Sequence, residues 1–264
     1  MAGDAGSANT KRATQTAPVV TTALVLAGGK GERLRPLTDD RPKPMVLANG
    51  VPILEHHLRW LRSNGIERAI LLTGYMAEVV QAYFSSPRVE GLQVECVPEP
   101  TPLGRGGAFR NGFIQAGVDD EMVIGTNGDV VTDQQLAPMV DLHVRTGALA
   151  TLLLTHMVSP FGIVDVGDDG VVGGFEEKPP LPYWINGGAY VLTSSLLTDF
   201  PVEGDHETSV FPRLAREGRI AGHRSEAFWR SVESLKDLRE LEAHLAASLA
   251  SGWPAAPAPL RRLY

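Results

Sequence analysis

Short apolar runs alternate with amphipathic stretches along the first part of this chain, and that rhythm limits its fold more than any other feature. "TTALVLA", "RAILLTG", "LQVECVPE", "EMVIGTNGD" and "ALATLLLT" are strand-like, whereas "PILEHHLRWLRSNG", "MAEVVQAYF", "GGAFRNGFIQAG" and "DQQLAPMVDLHVRTG" read as helices. In the first of these helices Ile53, Leu54, His57, Leu58 and Leu61 share one face, and Gly65 closes it. Strands so continuously apolar are buried on both faces, which predicts an α/β chain whose mainly parallel sheet is flanked by helices. After about residue 157 the rhythm changes. "FGIVDVGDDGVVGGFEEKP" predicts a hairpin turning at "GDDG", and "INGGAYVL" predicts a further strand. Helices around Ser194–Phe200 and Ser209–Gly218, strands in "IAGHRSEAFWRSV" and a long final helix in "SLKDLRELEAHLAASLA" complete the pattern. One domain over residues 18–250 with an inserted antiparallel section accounts for it.

With 264 residues the chain can bury a sizeable core, and its net charge of −7 argues against general nucleic-acid binding. The single cysteine, Cys96, excludes an internal disulfide and a cysteine-rich zinc site, and in its alternating run it reads as a small core residue. The histidines show no metal-ligand spacing, and His57 on an apolar helix face reads as a packed residue. No stretch approaches the ~20 apolar residues of a membrane helix. Residues 1–17 lack the apolar core of a secretory signal and are expected to form a disordered tail, with the cytoplasm as default location. Residues 251–264 are expected to form a proline-rich irregular tail.

Against this acidic background, "LVLAGGKGERLRPLTDDRPKPM" gathers Lys30, Arg33, Arg35, Arg41 and Lys43 on one glycine-rich loop. A strand followed by such a turn offers backbone N–H groups to phosphate. It is not the dinucleotide fingerprint, because Leu34 stands where the third glycine belongs, nor the nucleotide P-loop, because Gly31 follows Lys30. The prolines on either side of Lys43 restrict its backbone and aim its side chain, which suits a phosphate clamp together with Arg33. Both cations are expected to be exposed.

This string resembles the signature of the sugar-1-phosphate nucleotidylyltransferases, closest to mannose-1-phosphate guanylyltransferase-like members. "EPTPLGRGGAF", "TNGD", "FGIV", "FEEKP" and "INGGAYVL" resemble further motifs of that family in its order, from about Thr21 to Glu242. The resemblance implies the nucleotide-diphospho-sugar transferase fold, Rossmann-like with a mixed, mainly parallel sheet. It also implies transfer of a nucleoside monophosphate from a nucleoside triphosphate to a sugar or cyclitol 1-phosphate, with release of pyrophosphate and with Mg²⁺ as cofactor. GTP is favoured. A uridylyl-, thymidylyl- or cytidylyltransferase, or a catalytically silent relative, stays open. The implied partners are the two substrates, with no nucleic acid, no membrane and a homodimer possible.

Carried onto this chain, the resemblance makes Arg33, Lys43 and Asp129 catalytic, and Leu26, Ala27, Gly28, Gly29, Gly31, Glu99, Pro102, Gly104, Gly106 and Gly107 nucleotide-binding. Gly162, Glu177, Lys178, Asn186 and Gly187 fall to the sugar phosphate, with Glu176 the alternative to Glu177. Glycines in strands also mark bulges, the plainer reading for Gly174 and Gly188. The metal would be held by Asp129 and a second carboxylate. Many relatives resemble a pattern with an aspartate two residues after a tryptophan, but here Ser231 stands two residues after Trp229, so the role passes to Glu233, four residues after it, as in a subset of the family. Glu233 could instead be a first-turn acid of the final helix.

Overall fold

The computed structural model describes residues 20–250; both expected tails, 1–17 and 251–264, lie outside the described residues. In chain order the elements begin with β1 (Thr22–Leu26), the short pair β2 (Leu47–Ala48) and β3 (Val51–Pro52), and α1 (Ile53–Ser63). β4 (Arg68–Thr73), α2 (Ala77–Tyr83), β5 (Gln93–Pro98), α3 (Gly104–Gln115), β6 (Met122–Asn127), β7 (Val130–Thr132) and α4 (Ala137–Thr146) follow. The remainder comprises β8 (Ala150–Val158), β9 (Ile163–Val166), β10 (Val172–Glu176), β11 (Pro180–Thr193), α5 (Ser194–Leu197), α6 (Val210–Arg216), β12 (Ile220–Arg224), β13 (Trp229–Ser231) and α7 (Leu235–Ala250).

Seven strands form one sheet in the order β12-β8-β11-β6-β1-β4-β5. β11 runs antiparallel to both β6 and β8, and every other neighbouring pair is parallel. The mixed, mainly parallel α/β sheet expected from the strand–helix rhythm is therefore observed. The strand order reverses at β1: the chain moves through β4 to β5 on one side, then returns to β6 on the other. Crevices outside the carboxyl ends of strands at such a reversal are where open α/β sheets place ligands.

Alternation along β1 feeds two cores. Val25 joins Leu54, Leu58, Trp60, Leu71 and Ile124 on one face of the sheet. Leu24 joins Ile70, Phe109, Val123, Tyr190 and Phe200 on the other. Each fully buried Leu or Phe contributes about 1.5–3 kcal/mol through removal from water. A third cluster joins Leu34 and Val46 of the opening loop to Val131, Val232, Leu238 and Leu241. It seats the cationic loop beside β13 and α7.

The antiparallel section is built as the sequence suggests. β9 and β10 pair antiparallel around the Gly167–Gly170 turn, with an extra residue beside Gly174. On β11, Asn186 and Tyr190 oppose Leu154 and Leu152, so the ladder bulges at Gly187–Ala189. Gly188 has φ 70°, and a Cβ there would lie 2.6 Å from the Asn127 amide nitrogen. Two boundaries differ from the sequence reading. α3 begins at Gly104 instead of Gly106, because the Glu99 carboxylate accepts the Leu103 N–H at 2.9 Å and starts the turn early. α4 begins at Ala137, after residues occupied by other bonds: Gln134 takes the Trp60 indole on its carbonyl at 2.8 Å.

Candidate active site

The loop after β1 is fixed before any side chain is considered. Ala27 is buried and spends its N–H on the Leu72 carbonyl at 2.9 Å, while Gly28 lies against the backbone of Gly74. Gly31 adopts φ 69°, and a Cβ on it would fall 2.7 Å from the Lys43 Cβ. The missing side chain at Gly31 thus makes room for Lys43. The Lys43 N–H donates to the Gly29 carbonyl at 3.0 Å, within a short turn held by Pro42 and Pro44.

The cations of the loop divide in two. Arg41 pairs with Asp40 at 2.8 Å, Arg35 with Asp39 at 3.6 Å, and Lys30 lies over the Tyr75 ring. Lys43 instead reaches Asp129 at 2.6 Å and Glu233 at 2.5 Å, and Arg33 reaches the other Glu233 oxygen at 2.7 Å. The expectation that both cations are exposed is corrected for one of them. The Lys43 side chain is 9% exposed and Arg33 77%, because Leu34 and Val46 draw the loop into the third core and Lys43 goes with it.

Asp129 and Glu233 come from residues far apart in sequence. β7 and β13 pair antiparallel with Ser231 opposite Val130, and the Val232 N–H donates to the Asp129 carbonyl at 3.3 Å. Buried His57 bonds the Val130 carbonyl through Nδ1 at 2.6 Å, and burial lowers its pKa to about 4. It is a packed, neutral residue, and it pins the start of β7, next to Asp129. Ser234 and Asp237 supply the start of α7, with the Ser234 hydroxyl 2.7 Å from the Asp237 carboxylate and the Asp237 N–H returning to the Ser234 hydroxyl at 3.3 Å. The Glu233 side chain is thereby left to Lys43 and Arg33, not to the helix. Ser231 donates to Glu233 at 3.2 Å.

These residues open onto a cavity of about 410 Å³ lined by Leu26, Gly28, Gly29, Glu99, Pro102 and Gly104, along with Lys43, Asp129, Ser231 and Glu233. That is the size of a small-molecule site. Asn127, Arg105, Pro44 and Ala108 also line it; they lie in motifs quoted from the sequence but were given no site role of their own. The Asn127 amide oxygen is buried without a hydrogen-bond partner among the described residues. Gly106 and Gly107 face away: both N–H groups donate to the Gly204 carbonyl, and Cβ atoms there would strike the segment Pro201–His206. Glu99 is half-buried, and burial raises its pKa against the opposing bond from the Leu103 N–H.

The sugar-phosphate candidates fall in two places, with Glu177, Lys178 and Asn186 exposed and Gly187 buried. Glu177 and Lys178 pair at 2.8 Å at the foot of the β9–β10 ribbon, and a Cβ on Gly162 would lie 3.0 Å from Glu177. Glu177 holds the Lys178 ammonium above its usual pKa, assisted by Glu240 of α7. The Glu240 carboxylate in turn lies 2.5 Å from Arg230 of β13, so this group stands beside the strand that leads to Glu233. Gly187 offers its carbonyl to the Trp229 indole at 2.8 Å, and Asn186 faces Tyr190 and Glu207.

Residues 22–248 match the family model of the nucleotidyl transferases, and the chain belongs to that family. It is 38% identical over 237 residues to a mannose-1-phosphate guanylyltransferase of Mycobacterium tuberculosis, the match covering 86% of this chain and 65% of that relative's length. It is 31% identical over 239 residues to a probable glucose-1-phosphate cytidylyltransferase of Bacillus subtilis, covering 83% of this chain and 94% of the relative. The crystal structure of HddC from Yersinia pseudotuberculosis superposes with a TM-score of 0.69 at 24% identity, covering 86% of this chain and all of HddC. That likeness establishes the fold.

Proposed function

We propose that the chain transfers a nucleoside monophosphate from GTP to a sugar or cyclitol 1-phosphate and releases pyrophosphate. The observation that carries this reading is the ring of Arg33, Lys43, Asp129 and Glu233 beside Gly28 and Gly29, at the point where the strand order reverses. In such a reaction an oxygen of the sugar phosphate attacks the α-phosphorus, and the bond to the departing pyrophosphate breaks. The protein aligns two anions and meets their charge. Arg33 and Lys43 supply cations to the triphosphate.

Two carboxylates converging on one point, with the Ser231 hydroxyl beside them, are hard oxygen donors that suit Mg²⁺. Among the described residues no group of three or more His, Cys, Asp or Glu stands ready for a metal. A pair of carboxylates fits an ion that takes its other ligands from substrate phosphate and water. When bound, that ion would neutralise phosphate charge. Lys43 can leave Asp129 and Glu233 for phosphate only when their charge is otherwise met, which favours joint arrival of nucleotide and Mg²⁺.

Glu99 favours guanine. An ionised carboxylate only accepts hydrogen bonds. The guanine edge presents N1–H and the 2-amino group side by side, whereas uracil and thymine flank one N–H with carbonyls and cytosine sets an acceptor nitrogen beside its amine. Gly106 and Gly107 support this base site as packing positions. Gly162, Glu177, Lys178, Asn186 and Gly187 are assigned to the sugar phosphate. No helix among the described residues is long and apolar enough to cross a membrane. We place the enzyme in the cytoplasm, and the apolar residues exposed on the β9–β10 ribbon support a homodimer, which light scattering measures directly. A matrix of nucleoside triphosphates against sugar 1-phosphates, scored by pyrophosphate release with Mg²⁺, tests the activity. GTP is expected to lead; release from another base alone overturns the guanine choice, and no release overturns the reaction.

A further inference from the structure

Glu207 lies in the loop before α6, and its carboxylate stands between the two halves of the site. One oxygen accepts the Asn186 amide at 2.7 Å and the Tyr190 hydroxyl at 2.8 Å. The other lies 2.6 Å from Arg105, in the first turn of the cavity-lining helix α3. Arg105 is held a second time by Asp205 at 2.5 Å. Asn186 also donates to the Tyr190 hydroxyl at 2.9 Å, and its own oxygen accepts the Gly188 N–H at 3.0 Å. This network admits one orientation of the Asn186 amide, since exchanging its oxygen and nitrogen would set an acceptor against Glu207 and a donor against Gly188. Tyr190 is wholly buried, so the post on which Asn186 rests does not move freely.

We propose that Glu207 is a positioning residue that holds Asn186 in its sugar-reading orientation and ties the sugar strand β11 to the base-side helix α3. The proposal rests on the nucleotidyltransfer reading and deepens it, by naming what sets discrimination at the sugar. Glu207 lies outside the set of residues that line the cavity. Its three donors, one of them a guanidinium, make it a junction of charge-assisted bonds, the arrangement in which removal of one member disturbs the others.

Glu207→Gln keeps the shape but places an amide NH₂ against a donor on one side or the other. The expected result is about a 10-fold loss in kcat/KM for the sugar 1-phosphate, with KM for the nucleoside triphosphate within about 2-fold of wild type. The wild-type preference between mannose 1-phosphate and glucose 1-phosphate, which differ at one hydroxyl, should narrow. Asn186→Ala should be costly in the wild type and nearly silent in the Glu207→Gln background, because the two act as one unit. Tyr190→Phe removes one donor and keeps the ring, and it should narrow the same preference if Glu207→Gln does not give folded protein. Equal losses for both sugar phosphates, with the Asn186→Ala cost simply additive, overturn the proposal, as that is how a residue that only supports the fold behaves. A wild type that releases no pyrophosphate with any substrate pair is a different failure: the parent reading then falls, and this proposal with it.

Discussion

The crevice at Lys43 and the ribbon of β9 and β10 invert the usual order of protein burial. In the crevice a lysine is buried, its side chain 9% exposed. On the ribbon, Phe161 is 75% exposed, Phe175 68% and Val171 64%. Charged side chains almost never go inside unless paired, and large apolar clusters seldom stay outside. Each exception has a local cause. Lys43 is buried because two carboxylates, one just before β7 and one just after β13, meet it and a third core pulls its loop inward. The ribbon is exposed because two strands alone have no third layer against which to bury a face. The first region is built around charge paired inside the fold, and the second around apolar surface left in water.

The largest expected effect breaks the crevice. Lys43→Met should lower turnover by about 10³-fold if Lys43 turns to substrate phosphate as proposed, since one well-placed charge contact is worth about that much. It should also unmask Asp129 and Glu233, so that Mn²⁺ binding followed by electron paramagnetic resonance becomes tighter in the absence of nucleotide. Unchanged Mn²⁺ binding would mean that Lys43 does not guard the carboxylates. Arg33→Ala, at an exposed position, should cost less than Lys43→Met.

Next in size is the base. Glu99→Gln replaces a pure acceptor with a group that both donates and accepts, which suits uracil better than guanine. The ratio of GTP to UTP use should fall about 100-fold, which corresponds to the cost of about 2–3 kcal/mol for a buried polar group left unpaired. The preference should also fade on acidification. Only the ionised carboxylate accepts both guanine donors, and burial raises the Glu99 pKa, so the loss should set in at higher pH than for an ordinary glutamate. A GTP preference that is flat with pH and unmoved by Glu99→Gln removes Glu99 from base recognition.

Smaller again is the metal pair. Glu233→Gln should raise the Mg²⁺ needed for half-maximal activity by about 10-fold, because one carboxylate is lost from two. Ser231→Ala should do little, since the serine hydroxyl donates to Glu233 and need not meet an ion itself. Mg²⁺ titrations of both variants decide between them. The reverse ranking would place the metal at Ser231.

The same contrast explains what could be read from the sequence. Strand–helix alternation, the "GDDG" hairpin and the bulge at Gly188 were legible because each depends on neighbours in the chain: side-chain period, turn chemistry and left-handed backbone. Lys43 and Asp129 were marked by motifs, and Glu233 by its distance from Trp229. The burial of Lys43 was not legible, because it depends on carboxylates 86 and 190 residues away, as the numbering of Lys43, Asp129 and Glu233 gives. Glu207 was missed for the same reason: its partners Arg105, Asn186 and Tyr190 meet it only in the fold. Gly106 and Gly107 were read as nucleotide-binding, whereas their N–H groups are spent on the Gly204 carbonyl, a use with no local signal.

The smallest effect is expected on the ribbon, and its smallness sharpens the comparison. Phe109 is fully buried between Tyr190, Phe200 and His206, so Phe109→Ala should cost about 3–5 kcal/mol of stability in chemical denaturation. Phe175 has the same ring but leaves most of it in water. Phe175→Ser should therefore change monomer stability by no more than about 0.5 kcal/mol, as surface substitutions do. If a second copy covers the ribbon, the same substitution should shift the dimer toward monomer in light scattering while the unfolding of dilute protein stays put. A cost near that of Phe109→Ala in dilute protein would show that the ring is packed within its own chain, and the distinction between the two regions would fail at that residue.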